Sequence, residues 1–159
     1  MNNDKITLER NLPIATKNRT VARLATHHTP PLKSSNGTKP RILVVDDEKA
    51  VADSLVFLLK HEGFEASAAY SGEEALQSAA KGPVQLLISD VVMPGLDGVE
   101  SAMQICKQSP ACKVILFSGH INAPTLVDRA RIEGYEFELV QKPLHPQELL
   151  SKLRIALAR

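Results

Sequence analysis

Acidic, hydroxyl and amine side chains stand at the ends of short apolar runs in this sequence, where a buried strand would give way to a loop. The clearest case is Asp90, which closes an apolar run and is followed within five residues by Met93-Pro94-Gly95. In open α/β folds, ligands bind at the carboxyl ends of parallel strands. The other polar residues in equivalent positions are Asp46, Asp47, Ser118 and Lys142. If the strands are parallel, these side chains should meet at one edge of the sheet.

This combination of residue types suggests phosphoryl chemistry assisted by a metal ion. Three carboxylates in one cluster repel one another unless a cation lies among them. Mg²⁺ suits a site with few carboxylates, several waters and a phosphate. Lys142 would neutralise further negative charge, and the Ser118 hydroxyl could donate to a phosphoryl oxygen. Such a set could accept a phosphoryl group on a carboxylate.

Each of these residues also has an ordinary interpretation. Asp46 and Asp47 could complement the dipole of a following helix. Ser118 could be a turn hydroxyl, and Lys142 could be a solvated surface charge. It is their shared position at strand ends that favours a functional site.

The elements that would position these residues alternate along the chain from residue 41. Apolar runs predict strands at 42–45, 64–69, 84–90, 113–117 and 137–141. Helices are predicted at about 49–62, 71–81, 97–108 and 122–132, and from 145 onward. Ser71 to Glu74 has the form of a capping box, and Asp97 can cap the third helix. This alternation predicts an α/β fold: a doubly wound (βα)₅ parallel sheet with helices on both faces.

Two helices have apolar stripes that should pack on the sheet. The stripe of the first helix is expected to contain Val51, Leu55, Leu58 and Leu59. The stripe of the last helix is expected to contain Leu149, Leu150, Leu153 and Leu157.

Charge and composition divide the chain into two parts. Residues 1–40 hold seven Lys/Arg and two acids (7 − 2 = +5), whereas residues 41–159 hold twelve and sixteen (12 − 16 = −4). We expect residues 1–39 to be a flexible basic extension and linker, and residues 40–159 to be the domain. A short helix near 17–25 and a metal site at His27-His28 are less favoured interpretations of the extension.

The remaining features of composition are those of an intracellular protein. No apolar run approaches the roughly 20 residues that span a bilayer, and the N-terminus lacks the apolar core of a secretory signal. Cys106 and Cys112 are too few for a disulfide framework, and we expect buried or idle thiols. We therefore expect a cytoplasmic protein.

The spaced motifs resemble the receiver domain of two-component response regulators. They are Val44-Val45-Asp46-Asp47-Glu48, Ser89 to Gly98 (SDVVMPGLDG), Phe117-Ser118-Gly119 and Lys142-Pro143. The resemblance extends over essentially all of residues 41–159. It implies a flavodoxin-like fold with strand order 2-1-3-4-5.

The resemblance also implies a role for each site residue. Asp90 corresponds to the phospho-acceptor and would share Mg²⁺ with Asp46, Asp47 and the backbone carbonyl of Val92. Lys142 would bind the phosphoryl group, with Pro143 following a cis peptide. Ser118 would supply the hydroxyl that moves toward the aspartyl phosphate.

One position departs from the pattern of the family. Receivers usually carry Tyr or Phe three residues before the lysine of Lys-Pro, where the ring acts as a rotamer switch. Here that position is Leu139, and the segment from Gly134 to Lys142 is about one residue longer than usual. The departure affects how a signal would leave the site.

The function expected from these residues is that of a stand-alone, phospho-accepting receiver. It would take a phosphoryl group from a histidine kinase or histidine phosphotransfer protein and switch a surface that binds an unknown downstream protein. We expect no direct DNA binding, no membrane association and no turnover of external substrates. We expect no output domain in this sequence, because the first 40 residues are too few and too polar for a helix-turn-helix module.

Two other functions remain open. The first is a degenerate receiver that acts as an unphosphorylated interaction module, which the intact acid triad and Lys142 argue against. The second is an aspartate-nucleophile phosphohydrolase. Such enzymes need an acid two residues after the nucleophile, where this chain has Val92. Nucleotide binding is poorly supported, because neither G-x-G-x-x-G nor G-x-x-x-x-G-K-[ST] occurs.

Overall fold

The computed structural model describes residues 39–119 and 123–159. The expectations for residues 1–38, and the predicted helix cap at Asn122, lie outside the described residues. The strands are β1 (Arg41–Val45), β2 (Glu65–Ala69), β3 (Leu86–Asp90), β4 (Lys113–Ser118) and β5 (Glu138–Gln141). The helices are α1 (Lys49–His61), α2 (Gly72–Ala79), α3 (Gly98–Gln108), α4 (Ala123–Ile132) and α5 (Pro146–Ala158). None of the described helices is long and apolar enough to cross a membrane.

The five strands form one parallel sheet in the order β2-β1-β3-β4-β5. The central strands β1, β3 and β4 are mostly apolar and buried between their end residues, because helices cover both faces of the sheet. Since all strands run in the same direction, their carboxyl ends share one edge. The predicted (βα)₅ fold and strand order are confirmed.

Alternating side chains of each strand feed two separate core layers. On one face Leu43, Leu87 and Leu116 pack with buried residues of α2, α3 and α4. On the other face Ile88 and Ile115 pack with buried residues of α1 and α5. Each strand therefore contributes side chains to both layers. The alternation along a strand also determines toward which face its last residue points.

Local capping sets where several helices begin. The Ser71 side chain accepts from the backbone N–H of Glu74 at 3.1 Å, and Asp97 accepts from that of Glu100 at 2.8 Å. His145 caps α5 by accepting from Gln147 N–H, directly before Pro146. The capping box at Ser71 differs from the usual form, because Glu74 reaches back to the N–H of Tyr70 rather than to that of the cap residue.

The orientation of α1 corrects the predicted stripe. Its buried residues are Ala52, Val56 and Leu59. The predicted members Val51, Leu55 and Leu58 are only half-buried, because the face through Ala52, Val56 and Leu59 is the one that packs most deeply on the sheet. On α5 the predicted Leu149, Leu150 and Leu153 are buried, whereas Leu157 is half-buried in the last turn.

Candidate functional site

The polar residues predicted at strand ends lie together at the carboxyl edge of the sheet. Asp90 is the last residue of β3, and Asp46 directly follows β1. Ser118 ends β4, and its carbonyl oxygen accepts from the backbone N–H of Lys142 at 2.9 Å. The parallel register alone therefore places side chains distant in sequence at one location.

Asp46, Asp47 and Asp90 form an acidic cluster in which one carboxylate oxygen of each lies within 4.8 Å of the others. Asp46 is buried, Asp90 is half-buried and Asp47 is exposed. Asp46 Oδ1 accepts from the backbone N–H of Glu48 at 2.9 Å, which fixes the carboxylate. Asp90 Oδ1 accepts from the N–H of Val92 at 3.2 Å. Two of the three acids are thus oriented by the loops that follow them.

Lys142 joins the two acids that are least exposed. Its Nζ donates to Asp46 Oδ2 at 2.9 Å and to Asp90 Oδ2 at 2.8 Å. Partial burial disfavours the charged amine, but the hydrogen bonds and charges of Asp90 and Asp46 outweigh it and raise the pKa of Lys142. The lysine is therefore a firmly held cation between two carboxylates, which leaves the cluster with a net negative charge.

Two contacts at the loop between β3 and α3 were missed by sequence reasoning. Gly98, the first residue of α3, donates to the carbonyl of Val91 at 2.9 Å, and a Cβ there would overlap the carbonyl oxygen of Asp90. Glu73 Oε1 accepts from the N–H of Leu96 at 3.1 Å. Hydrogen bonds from its own N–H and from that of Leu96 hold the pKa of Glu73 below its ordinary value. These contacts hold in place the loop that directly follows Asp90.

No short-range signal could have revealed the Glu73 contact. Glu73 belongs to the Ser71–Glu74 motif, which local reasoning assigns to capping alone. The contact with Leu96 spans 23 positions and depends on how α2 sits beside the loop. Gly98 did carry a signal, since glycine directly after a capping aspartate can indicate close approach of two backbones.

The remaining predicted residues surround this centre. Val92 is exposed, and Ser118 is buried. Leu139 is half-buried, pairs with Leu116 across β4 and β5, and packs against the layer on the α3 and α4 side. The Lys142–Pro143 peptide bond is cis, as expected.

An apolar cavity of about 460 Å³ adjoins the site on the α1 side. Its walls include Val51, Leu55, Phe117, Pro143 and Leu149, and Lys142 reaches its rim. The half-buried Val51 and Leu55 of α1 form part of its wall.

The donor set at the edge fits a small hard cation. Three carboxylates offer oxygen ligands only, and the exposed Asp47 leaves one side of the cluster open to water, as Mg²⁺ requires. Within residues 39–119 and 123–159 this is the one group of three or more side chains that could hold a metal ion.

Comparisons with known proteins agree with the observed fold. Residues 42–154 match the family described as response regulator receiver domain. The chain is 34% identical over 119 residues to the Bacillus subtilis (strain 168) protein named "Uncharacterized transcriptional regulatory protein YkoG". The aligned region covers 75% of this chain and 51% of that protein. The chain thus spans about half the length of this curated relative.

Two solved structures show the same architecture. A CheY-like receiver domain protein from Methanospirillum hungatei JF-1 matches with a TM-score of 0.68 and 28% identity, over 76% of this chain and 95% of that one. TrrA from Thermotoga maritima, solved in complex with Mg²⁺-BeF, matches with a TM-score of 0.64 and 34% identity, over 74% and 98%.

The fold is that of the flavodoxin-like, CheY-like α/β class. The chain belongs to the response regulator receiver domain family of two-component signalling. This is a family of signalling domains, which agrees with the function expected from the sequence.

Proposed function

We propose that this receiver accepts a phosphoryl group on Asp90 from a phosphohistidine of a kinase or phosphotransfer protein, with Mg²⁺ bound at the acidic cluster. The observation that supports this most strongly is the position of Lys142, whose Nζ bridges Asp90 and Asp46 while Asp47 lies beside them.

Each residue has a specific task in the transfer. Asp90 Oδ attacks phosphorus as the bond from phosphorus to the donor imidazole breaks, and the imidazole leaves as a neutral ring after taking a proton. The Lys142 ammonium stabilises the charge that develops on the transferred oxygens. Mg²⁺, held by Asp46, Asp47, Asp90 and the carbonyl of Val92, would supply further charge neutralisation. The Ser118 hydroxyl would then donate to a phosphoryl oxygen.

The output of this switch is proposed to be a protein-binding surface on α4, β5 and α5. Adding a phosphoryl group changes charge and hydrogen bonding beside Ser118, and Ser118 ends the strand next to β5. YkoG is named a transcriptional regulatory protein, but only about half of it aligns with this chain. We therefore propose no direct DNA binding by the receiver itself, and the downstream protein is left unnamed.

Intact-mass analysis after incubation with acetyl phosphate and Mg²⁺ tests the acceptor. We expect one phosphoryl group on the wild type, none on Asp90→Asn, and none in EDTA. Asp128→Asn is the matched control, because it removes an exposed aspartate of α4 outside the cluster and should label normally. Labelling of Asp90→Asn, or labelling unchanged by EDTA, would refute the proposal.

The same assay separates the two alternatives. A wild-type protein that never gains a phosphoryl group would be a degenerate receiver. Release of many equivalents of phosphate per protein would indicate a phosphohydrolase. We expect slow, near-stoichiometric release, because the side chain two residues after Asp90 is that of Val92, which cannot act as a general acid or base.

A further inference from the structure

The two cysteines of this chain are brought together at the opposite end of the sheet from Asp90. Cys106 lies in the last turn of α3, and Cys112 directly precedes β4. The turn between them is held by two backbone hydrogen bonds of 2.8 Å, from Ser109 N–H to the carbonyl of Ile105 and from Cys112 N–H to the carbonyl of Ser109. Cys106 Sγ is 4.0 Å from the carbonyl oxygen of Cys112. Both are free thiols in this structure.

The two thiols differ in their burial and in their contacts. Cys112 is buried, and its Sγ donates to the carbonyl oxygen of Lys113 at 3.4 Å. Interaction with Cys112 lowers the pKa of Cys106, and interaction with Cys106, together with burial, raises the pKa of Cys112. Cys106 is also the more exposed of the two. A thiolate, not a thiol, attacks a disulfide, so Cys106 is the expected nucleophile and Cys112 the resolving partner.

Both thiols can be reached from solvent through a cavity of about 650 Å³. Its walls include Cys106 and Cys112, together with Tyr135 and Phe137, whose rings are 5.6 Å apart between centres and tilted by 31°. Charges of both signs line it, from Lys113, Arg159, Glu136 and Glu138. A cavity of this volume can admit a small peptide disulfide.

We propose that Cys106 and Cys112 are a redox modification site, which closes to an intramolecular disulfide by exchange with a low-molecular-weight disulfide of the glutathione type. This goes beyond phosphoryl transfer and does not depend on it. The bond would tie the end of α3 to the start of β4. Cytosolic disulfides of this reversible kind are typically redox-sensing or catalytic rather than structural.

The exchange balances in two steps. The Cys106 thiolate attacks one sulfur of oxidised glutathione, forming a mixed disulfide and expelling one glutathione thiolate, which takes up the Cys106 proton from solvent. The Cys112 sulfur then attacks the Cys106 sulfur, and its proton passes to the second departing glutathione. Two thiols are oxidised and one glutathione disulfide is reduced to two thiols.

Intact-mass analysis of the full chain in native buffer, with oxidised glutathione as the probe, tests this proposal. The wild type should lose two hydrogen atoms and keep no glutathionyl group, and dithiothreitol should restore the reduced mass. Cys112→Ser should stop at one glutathionyl group on Cys106, because the resolving sulfur is absent. Cys106→Ser should react at least ten times more slowly than Cys112→Ser.

A stable glutathionyl adduct on the wild type, a disulfide-linked dimer, or no reaction would each overturn the proposal. Equal reactivity of the two single variants would overturn the assigned roles. Reduced Cys106→Ser and Cys112→Ser should label with acetyl phosphate like the wild type. This readout separates a failure of the thiol pair from a failure of the phospho-acceptor.

Discussion

Replacing Lys142 by methionine tests whether the lysine holds the acidic cluster together. Its Nζ donates to Asp46 and Asp90, whose side chains are only 4% and 14% exposed, while the lysine side chain is 31% exposed. Hydrogen bonds between charged groups contribute about 1.5–3 kcal/mol each, and breaking a fully buried pair costs about 3–5 kcal/mol. Because Lys142 is partly solvated, we expect Lys142→Met to lower the free energy of unfolding in EDTA by about 2–3 kcal/mol.

The chain contains a matched control for this change. Lys152 has nearly the same side-chain exposure, 30%, and donates to Glu138 at 2.8 Å, but Glu138 is 41% exposed. A solvated pair of this kind contributes about 0.2–1 kcal/mol. Urea unfolding in EDTA should therefore show a much smaller loss for Lys152→Met than for Lys142→Met. Equal losses would mean that burial of the partner carboxylates is irrelevant, and the reasoning would be refuted.

Mg²⁺ should reduce the loss in free energy of unfolding that Lys142→Met causes. The variant keeps three carboxylates and loses one positive charge, so it should bind the ion more tightly than the wild type. Binding to the folded state adds about 1.4 kcal/mol when the free ion is at ten times its Kd, and more as that ratio rises. A deficit that is the same in EDTA and in saturating Mg²⁺ would contradict a shared site for lysine and metal.

The stability difference between Lys142→Met and the wild type should change with pH in a direction set by the pKa of Lys142. The pKa of Lys142 is raised in the folded protein, so its contribution to stability is complete below the unfolded value, about 10.4, and is lost as pH rises through the higher folded value. The deficit of Lys142→Met should therefore stay constant from neutral pH to about 10 and disappear only above it. A deficit that vanishes near neutral pH would refute this assignment.

Three further predictions concern the loop, the domain boundary and the switch. Gly98→Ala should cost about 1–3 kcal/mol in urea unfolding and reduce labelling. Gly119→Ala should do neither, because within the described residues its added Cβ would meet only Lys142 Cβ, at 4.0 Å. Removing residues before Lys39 should leave the melting temperature and labelling nearly unchanged, and a large loss of stability would move the boundary. Beryllofluoride with Mg²⁺ should shift amide resonances most from Ser118 into the start of α4, and larger shifts in α1 would exclude that route.

The positions of the site residues were predictable because chain order and parallel topology determine them. Once β1, β3, β4 and β5 run in the same direction, Asp46, Asp90, Ser118 and Lys142 must share an edge whatever the details of packing. The rotation of α1 was not predictable in the same way. Its apolar positions allow a face through Val51 and Leu55 or one through Ala52, and only the fit against the sheet decides between them.

Contacts between elements were the part that the sequence did not reveal. The hydrogen bond from Leu96 N–H to Glu73 forms only because the start of α2 lies beside the loop after β3. No local sequence pattern indicates that these two segments are neighbours. The pairing of Cys106 with Cys112 is of the same kind. The sequence predicts a helix that ends near residue 108, but it does not show that the turn after this helix folds back and brings Cys112 to Cys106.

In the proposed mechanism, the alternation of side chains along the strands would place the phospho-acceptor and the switch hydroxyl on opposite faces of the sheet. Asp90 is in phase with Leu86 and Ile88, which pack toward α1 and α5, whereas Ser118 is in phase with Val114 and Leu116 on the opposite face. A group bound at Asp90 and contacted by Ser118 would therefore link the two core layers across the sheet.

Leu139 belongs to the same core layer that Ser118 faces, on the α3 and α4 side of the sheet. It pairs with Leu116 of β4 and packs against that layer. An aromatic switch at this position can move into vacated space and, as tyrosine, exchange a hydrogen bond. Leucine has no hydroxyl and less volume, so it can respond to a movement of Ser118 only by repacking. A ligand shifts a two-state equilibrium only by its differential affinity for the two states. In the proposed switch, with that hydrogen bond absent, the difference between the two states would come from the contacts of Ser118 itself and from the packing of Leu139 in the core layer on the α3 and α4 side.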